Sequence, residues 1–188
     1  MVPGKTGSAL QFDGDNDFVE AGTINVNDAG ITLAAWIKVD DFGTHDARII
    51  SKSTGTAEQD HYWMLSTIKN RGGNKIRFRL KTNSHTKTLI GTENIPVGKW
   101  VHAMAIYDGN SMQLYLDGKL DGNVAKTGPI ATDPTVGVRI GDNSVITPPS
   151  DHRAANPSPG KRNLDGAIDD VRIYNRALSS SEIQNLLL

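Results

Sequence analysis

Apolar residues along this chain recur with a period of two over short runs, the spacing of strands whose side chains alternate between two faces. Ile31 to Val39 puts Ile31, Leu33, Ala35, Ile37 and Val39 on one face and Trp36 on the other, which marks a strand inside a packed sheet. Lys75 to Lys81 alternates strictly, with Ile76, Phe78 and Leu80 inward and Lys75, Arg77, Arg79 and Lys81 outward. Further strands are predicted over Ala9 to Asp13, Asp17 to Ala21, Ala47 to Lys52, Tyr62 to Ile68, Thr86 to Ile90, Trp100 to Tyr107, Met112 to Leu116, Lys119 to Asp121 and Val136 to Gly141. Turn chemistry separates them: Asn70-Arg71-Gly72-Gly73-Asn74 closes a hairpin, and Asp108-Gly109-Asn110 and Asp117-Gly118 mark a meander. Only the end differs. Ser179 as N-cap with Glu182 three residues on forms a capping box, followed by the apolar stripe Ile183, Leu186 and Leu187, so one short C-terminal helix is expected. Many short strands with frequent turns and a single helix read as an all-β, two-sheet antiparallel sandwich, one domain over residues 1–188.

The stretch Leu164 to Leu178 poses a chemical question. By alternation Asp169 shares its face with Val171 and Ile173, and a core-facing carboxylate is costly unless hydrogen-bonded, paired or bound to a cation. Asp17 travels with Val19 in the same way.

Composition narrows the function classes. The 188 residues contain no cysteine, which excludes a disulfide framework, a thiolate metal site and a cysteine nucleophile but leaves the compartment open. A formal charge of -1 gives no global field for nucleic acid or an anionic membrane. No apolar run has the length of a spanning helix, and Met1-Val2-Pro3-Gly4-Lys5 lacks a signal core. We read Met1 as an initiator added to a module of a longer protein. No Gly-x-Ser-x-Gly elbow is present, and no two His residues sit at ligand spacing on one strand, which disfavours zinc.

For binding, the outward row Lys75, Arg77, Arg79 and Lys81 is the candidate surface, with His61, Tyr62, Trp63 and His85 nearby in sequence. Guanidinium forks suit carboxylate or sulfate groups and an aromatic ring suits a sugar's apolar face, which points to an acidic polysaccharide. The competing explanation is a solvated sheet face. The segment 142–163, with His152, Arg153, Lys161 and Arg162, is either the rim of a ligand site or a surface insertion.

Four segments in order resemble a known family: Gly7 to Val19 (with Phe12-Asp13-Gly14), Thr32-Leu33-Ala34-Ala35-Trp36-Ile37, Lys99-Trp100-Val101-His102 with Leu114-Tyr115-Leu116-Asp117-Gly118, and Gly166 to Ser179. Together they resemble the laminin-G-like jelly-roll domains of the concanavalin A-like lectin and glucanase superfamily. The resemblance implies a jelly roll with its first and last strands adjacent, an extracellular or secreted setting, tethering to other domains and often calcium. On that adjacency Asp13, Asp17 and Asp169, with carbonyls near Gly14 and Asn16, form the candidate Ca2+ site. The alternative is that these carboxylates cap turns. An EF-hand is excluded, since Phe18 and Ile24 replace its glycine and its bidentate glutamate. The enzymatic branch of the superfamily uses a Glu-x-Asp-x-x-Glu pattern. The glutamates here, Glu20, Glu58, Glu93 and Glu182, are too scattered to form it. The expected function is therefore a non-catalytic carbohydrate-binding module, with Tyr62, Trp63, Arg77, Arg79 and His85 as ligand residues. The rival is a structural or adhesive domain that meets protein partners.

Overall fold

The computed structural model describes residues 1–26, 29–83, 85–143 and 162–188. Among these, the strands are β1 (Val2–Pro3), β2 (Ser8–Asp13), β3 (Val19–Glu20), β4 (Ile31–Asp41), β5 (Arg48–Ser53), β6 (His61–Asn70) and β7 (Gly73–Thr82). They continue with β8 (His85–Ile90), β9 (Trp100–Tyr107), β10 (Ser111–Leu116), β11 (Lys119–Ala125), β12 (Arg139–Ile140) and β13 (Asp165–Tyr174), before helix α1 (Ser180–Asn185). Two antiparallel sheets result: a seven-stranded one in the order β1-β2-β13-β4-β9-β10-β11 and a six-stranded one in the order β3-β12-β5-β6-β7-β8. The expected sandwich is thus observed, with β2, the first strand expected from the sequence, beside the last, β13.

The core is where the inward rows meet. Ile31, Leu33, Ala35, Ile37 and Val39 of β4 pack with Val101, Ala103 and Ala105 of β9 and, from the other sheet, with Trp63 and Leu65 of β6 and Ile76, Phe78 and Leu80 of β7. Strand β4 is apolar on both faces because α1 covers the outer one: Ala34, Met104 and Ile106 lie under Leu178 and Ile183. The Ser179–Glu182 capping box that starts α1 is formed.

Strand β13 departs from simple alternation. Asp169 pairs with Trp36 and Arg172 with Ala34, so Asp170 and Val171 together oppose Ala35 in a bulge, with Asp170 at φ 47. The extra residue turns Val171 and Ile173 toward the core and leaves Asp169 beside Trp36 on the outer face. Asp169 therefore does not share the face of Val171, because alternation counts residues and a bulge adds one. Its Oδ2 accepts the Thr6 N–H at 3.0 Å and its Oδ1 the Asp170 N–H at 2.8 Å. Gly4 is the residue this contact needs, since a Cβ there would lie 2.5 Å from Asp169 Oδ2. The carboxylate thus ties the N-terminal turn to the last strand through amide hydrogen bonds. Asp169→Ala is expected to lower the unfolding free energy by about 1–2 kcal/mol, the cost of leaving such donors unpaired, with Asp169→Asn intermediate, as read from urea midpoints.

Candidate functional site

Three chain segments converge at one end of the sandwich. The turn after β2 is fixed by Gly14 N–H donating to Leu164 O at 3.0 Å, the loop between β4 and β5 by Lys69 N–H donating to His45 O at 2.8 Å, and the approach to β13 by Arg48 N–H donating to Arg162 O at 2.8 Å. Between them lies a cleft of about 400 Å³ lined by Asp13, Gly14, Gly43, Thr44, His45, Arg162 and Asp165. One wall is acidic. Asp165 is directly opposite Asp13 on β2 and Asp41 on β4, so three carboxylates stand in a row across neighbouring strands.

The local environments of these acids differ. Asp13 Oδ1 accepts the N–H groups of Asp15 at 2.8 Å and Asn16 at 3.3 Å, and the turn amides hold its carboxyl below the usual range. Burial pushes the Asp165 carboxyl up, and the like charges of Asp40, Asp41 and Asp13 push it further. The rest of the cleft wall offers donors, the Arg162 guanidinium, the Thr44 hydroxyl and the His45 ring.

Beneath that wall is a buried ionic cluster on the outer face of the six-stranded sheet. Asp46 Oδ1 accepts from both Arg48 and Arg77, and its Oδ2 lies 3.6 Å from Arg162 Nε. Burial alone would raise the Asp46 carboxyl; the Arg77 hydrogen bond and the charges of Arg48, Arg77 and Arg162 more than reverse this and hold it low. Arg48 also donates to Asn143 Oδ1 at 2.9 Å and to His61 Nε2 at 3.1 Å. His61 Nδ1 lies 2.8 Å from Ala57 O, so that nitrogen bears the proton and Nε2 is the acceptor. Burial first, then the charges of Arg48 and Arg79, push the His61 ring down to about 3.

The residues expected to bind ligand are distributed differently from the sequence reading. Arg77 points outward as predicted, yet it is only 3% exposed, because Asp46 and its loop lie over it. Arg79 is half-buried, donating to Thr88 Oγ1 at 3.3 Å. Trp63 is 1% exposed and packs in the core. It is corrected from a binding residue to a core residue, since it faces inward in register with Leu80. The Tyr62 hydroxyl donates to Asp133 at 3.2 Å and its ring carries Lys81 Nζ at 5.4 Å. His85 is exposed at the start of β8. His152, Arg153 and Lys161 lie outside the described residues, whereas Arg162 is part of the cleft.

The expected calcium ligands do not form one site. Asp17 Oδ2 caps the Asp13 N–H at 3.1 Å, but Asp169 is four residues along β13 from Asp165, the partner of Asp13, or roughly 13 Å at strand spacing. Among the described residues no three carboxylate or imidazole groups are arranged to hold a metal. Thr44, His45, Asp46 and Asp165 were missed as site residues. The one local signal was an acid and a base, Asp46 and Arg48, flanking the start of an apolar strand.

Three measurements follow from this geometry. Asp46→Asn leaves three arginines without their common counter-charge and is expected to cost about 3–5 kcal/mol of stability, as for a broken buried ion pair. His61 and His102 are depressed from 6.5 to about 3 and about 4, chiefly by burial. The unfolded chain takes up protons that the folded one refuses, so this stability is full above pH 6.5 and lost as pH falls toward those values; melting temperatures recorded across that window should fall. Asp165→Asn removes the middle charge of the acidic row and is expected to stabilise the chelator-treated protein by about 0.5 kcal/mol. Calcium that raises the melting temperature of the wild type and not of this variant would assign the row to the ion.

A sequence profile of the concanavalin A-like lectin/glucanases superfamily, of laminin-G type, matches residues 13–184. No curated protein sequence matches the chain. Among solved structures, domain 4 of AbnA, an extracellular arabinanase of Geobacillus stearothermophilus in complex with arabinotriose, is similar at a TM-score of 0.69 and 19% identity, over 100% of this chain and 80% of that one. A native heptameric SAP-like pentraxin from Limulus polyphemus gives a TM-score of 0.67 at 17% identity, over 95% and 80% of the two chains. Domains LG4-5 of the mouse laminin alpha1 chain give 0.61 at 14% identity, over 96% of this chain and 45% of that one. Among the described residues no helix is long and apolar enough to cross a membrane.

Proposed function

Because the chain belongs to the concanavalin A-like lectin/glucanases superfamily, as a laminin-G-like domain, we propose that it is a non-catalytic, extracellular carbohydrate-binding module whose sugar site is the cleft beside Asp165. The observation that supports this most is the gathering of acceptors and donors in one depression, whose lining includes Asp13 and Asp165 together with Thr44, His45 and Arg162. A sugar hydroxyl donates and accepts at once, and a cleft lined by both acceptors and donors can satisfy both demands.

The cleft also shifts the choice of glycan. Arg77 is enclosed and already paired with Asp46, so it is not offered to a polysaccharide carboxylate. Arg162 in the cleft lining already shares its charge with Asp46, and Asp13 and Asp165 repel such a group. A neutral glycan is therefore the ligand of this site. Binding on a glycan array, followed by calorimetry with the best neutral oligosaccharide, tests the reading. Asp165→Ala and Thr44→Ala should each weaken binding about tenfold, equivalent to 1.4 kcal/mol, while the near-ultraviolet dichroism of the fold is unchanged. Unaltered affinity in both variants would place the site elsewhere, and release of reducing ends from the bound glycan would overturn the non-catalytic assignment.

A further inference from the structure

The segment between β8 and β9 passes from the six-stranded sheet to the seven-stranded one. Two residues hold its start. Asp121 of β11 is only 4% exposed, and its Oδ1 accepts the Thr92 N–H at 2.9 Å, the Thr92 Oγ1–H at 2.9 Å and the Glu93 N–H at 2.7 Å. Asn74 O of β7 accepts the Ile95 N–H at 2.8 Å. Each residue also carries a side-chain oxygen that is shielded from solvent and receives no donor, Asp121 Oδ2 and Asn74 Oδ1. Buried polar oxygens are hydrogen-bonded as a rule, so two orphans beside one short segment need an explanation.

The orphans belong to the same interior face. A Cβ on Gly91 would lie 1.9 Å from Asp121 Oδ2 and 3.2 Å from Ile76 Cγ1, so the carboxylate oxygen reaches past that glycine to the inward side of β7. Asn74 is the next residue on that side, about 7 Å along the strand from Ile76. The carboxylate also lacks a counter-charge. Among the described residues no ion pair includes Asp121, and Lys75, which reaches the same segment, donates to Thr92 O instead. A buried charge is costly unless it is hydrogen-bonded, paired or bound to a cation; Oδ1 is provided for and Oδ2 is not.

We propose that Asp121 Oδ2 and Asn74 Oδ1 bind a monovalent alkali cation between them, behind Gly91 and apart from the cleft. Both donors are hard oxygens, which suit such an ion and not zinc or copper. The single carboxylate sets the charge: a monovalent ion cancels it, whereas a divalent one leaves a net positive charge in a poorly hydrated site. The rival account is a buried water that donates to both oxygens. A water completes the hydrogen bonds but leaves the negative charge in place. The ion joins β7 to β11 and so ties the two sheets together near the edges where β8 and β11 end them.

Thermal unfolding of the chelator-treated protein in sodium, potassium and choline chloride at equal ionic strength separates the two accounts. Sodium or potassium is expected to raise the melting temperature about 3 °C above choline, as linkage requires for an ion held only by the folded chain. Asp121→Asn keeps an acceptor for Thr92 and Glu93 and removes the charge, so it should abolish the difference. Asn74→Leu should reduce it, and Asp165→Asn in the cleft should retain it in full. If Asp121→Asn does not fold, sodium NMR relaxation on the wild type and on Asn74→Leu carries the test, with excess relaxation expected in the wild type and diminished in the variant. Equal melting in all three salts without excess relaxation assigns the position to water and overturns the proposal. A sodium effect that survives Asp121→Asn overturns it too, as does stabilisation by calcium alone that this variant removes.

Discussion

The carboxylate of Asp46 is the contact on which the functional end of the molecule depends. It is nearly buried and receives Arg48 from β5, Arg77 from β7 and Arg162 from the approach to β13. Those arginines come from distant parts of the sequence, and without a shared anion their mutual repulsion in a poorly hydrated site would drive them apart. By gathering them, Asp46 seals the outer face of the six-stranded sheet and sets the position of Arg162. The cleft is therefore a consequence of the ion cluster, because its donor wall is the exposed side of the group that Asp46 anchors. His61 belongs to the same unit: as a neutral ring it accepts from Arg48, and protonating it would add a fourth cation to the cluster.

A second constraint acts on the seven-stranded sheet. Strand β13 is flanked by β2 and β4, so this late strand is pinned between two strands from the first 41 residues. Two irregularities let it fit. Gly166 sits at φ 147 where a Cβ would come within 2.2 Å of Lys38 O, and the bulge at Asp170 re-aims the residues beyond it. The first brings Asp165 into line with Asp13 and Asp41; the second frees Asp169 to hold the N-terminal turn. Both acids serve long-range connections, but they are separated along the strand and do different work.

That separation explains what could be read in advance. Most strand positions, the Asn70 to Asn74 hairpin, the two Asp-Gly turns and the Ser179 cap depend on neighbours within a few residues and appear in the structure, although the strands expected over Asp17 to Ala21 and Val136 to Gly141 are reduced to Val19–Glu20 and Arg139–Ile140. The inward row Ile76, Phe78 and Leu80 was equally legible, since β7 has no bulge. The face of Asp169 was not, because one inserted residue inverts every later position and nothing in Asp169-Asp170-Val171 announces it. Trp63 was ambiguous while its register with Leu80 was unknown. Arg77 was placed on the correct face, but its solvation depended on a loop thirty residues earlier in the chain, so its partner could not be inferred from spacing. The cleft depends on three such loops at once.

Charge shows the same limit most clearly. A formal total of -1 describes a nearly neutral chain, yet pairing across strands sorts that charge into regions of opposite sign. Asp13, Asp165 and Asp41 align because antiparallel register sets them opposite one another. Lys87 and Lys126 meet because the chain crosses between sheets after β11. Neither grouping is contiguous in sequence, and each is unfavourable within the isolated fold, where like charges face each other across short distances. Only β9 and β10 separate β4, at the acidic row, from β11, which leads into Lys126. A fold that were only a scaffold would gain stability by interchanging one residue from each. Register and crossover, more than composition, therefore decide where charge of one sign collects, and the Asp46 cluster holds the arginines that would otherwise blur the distinction.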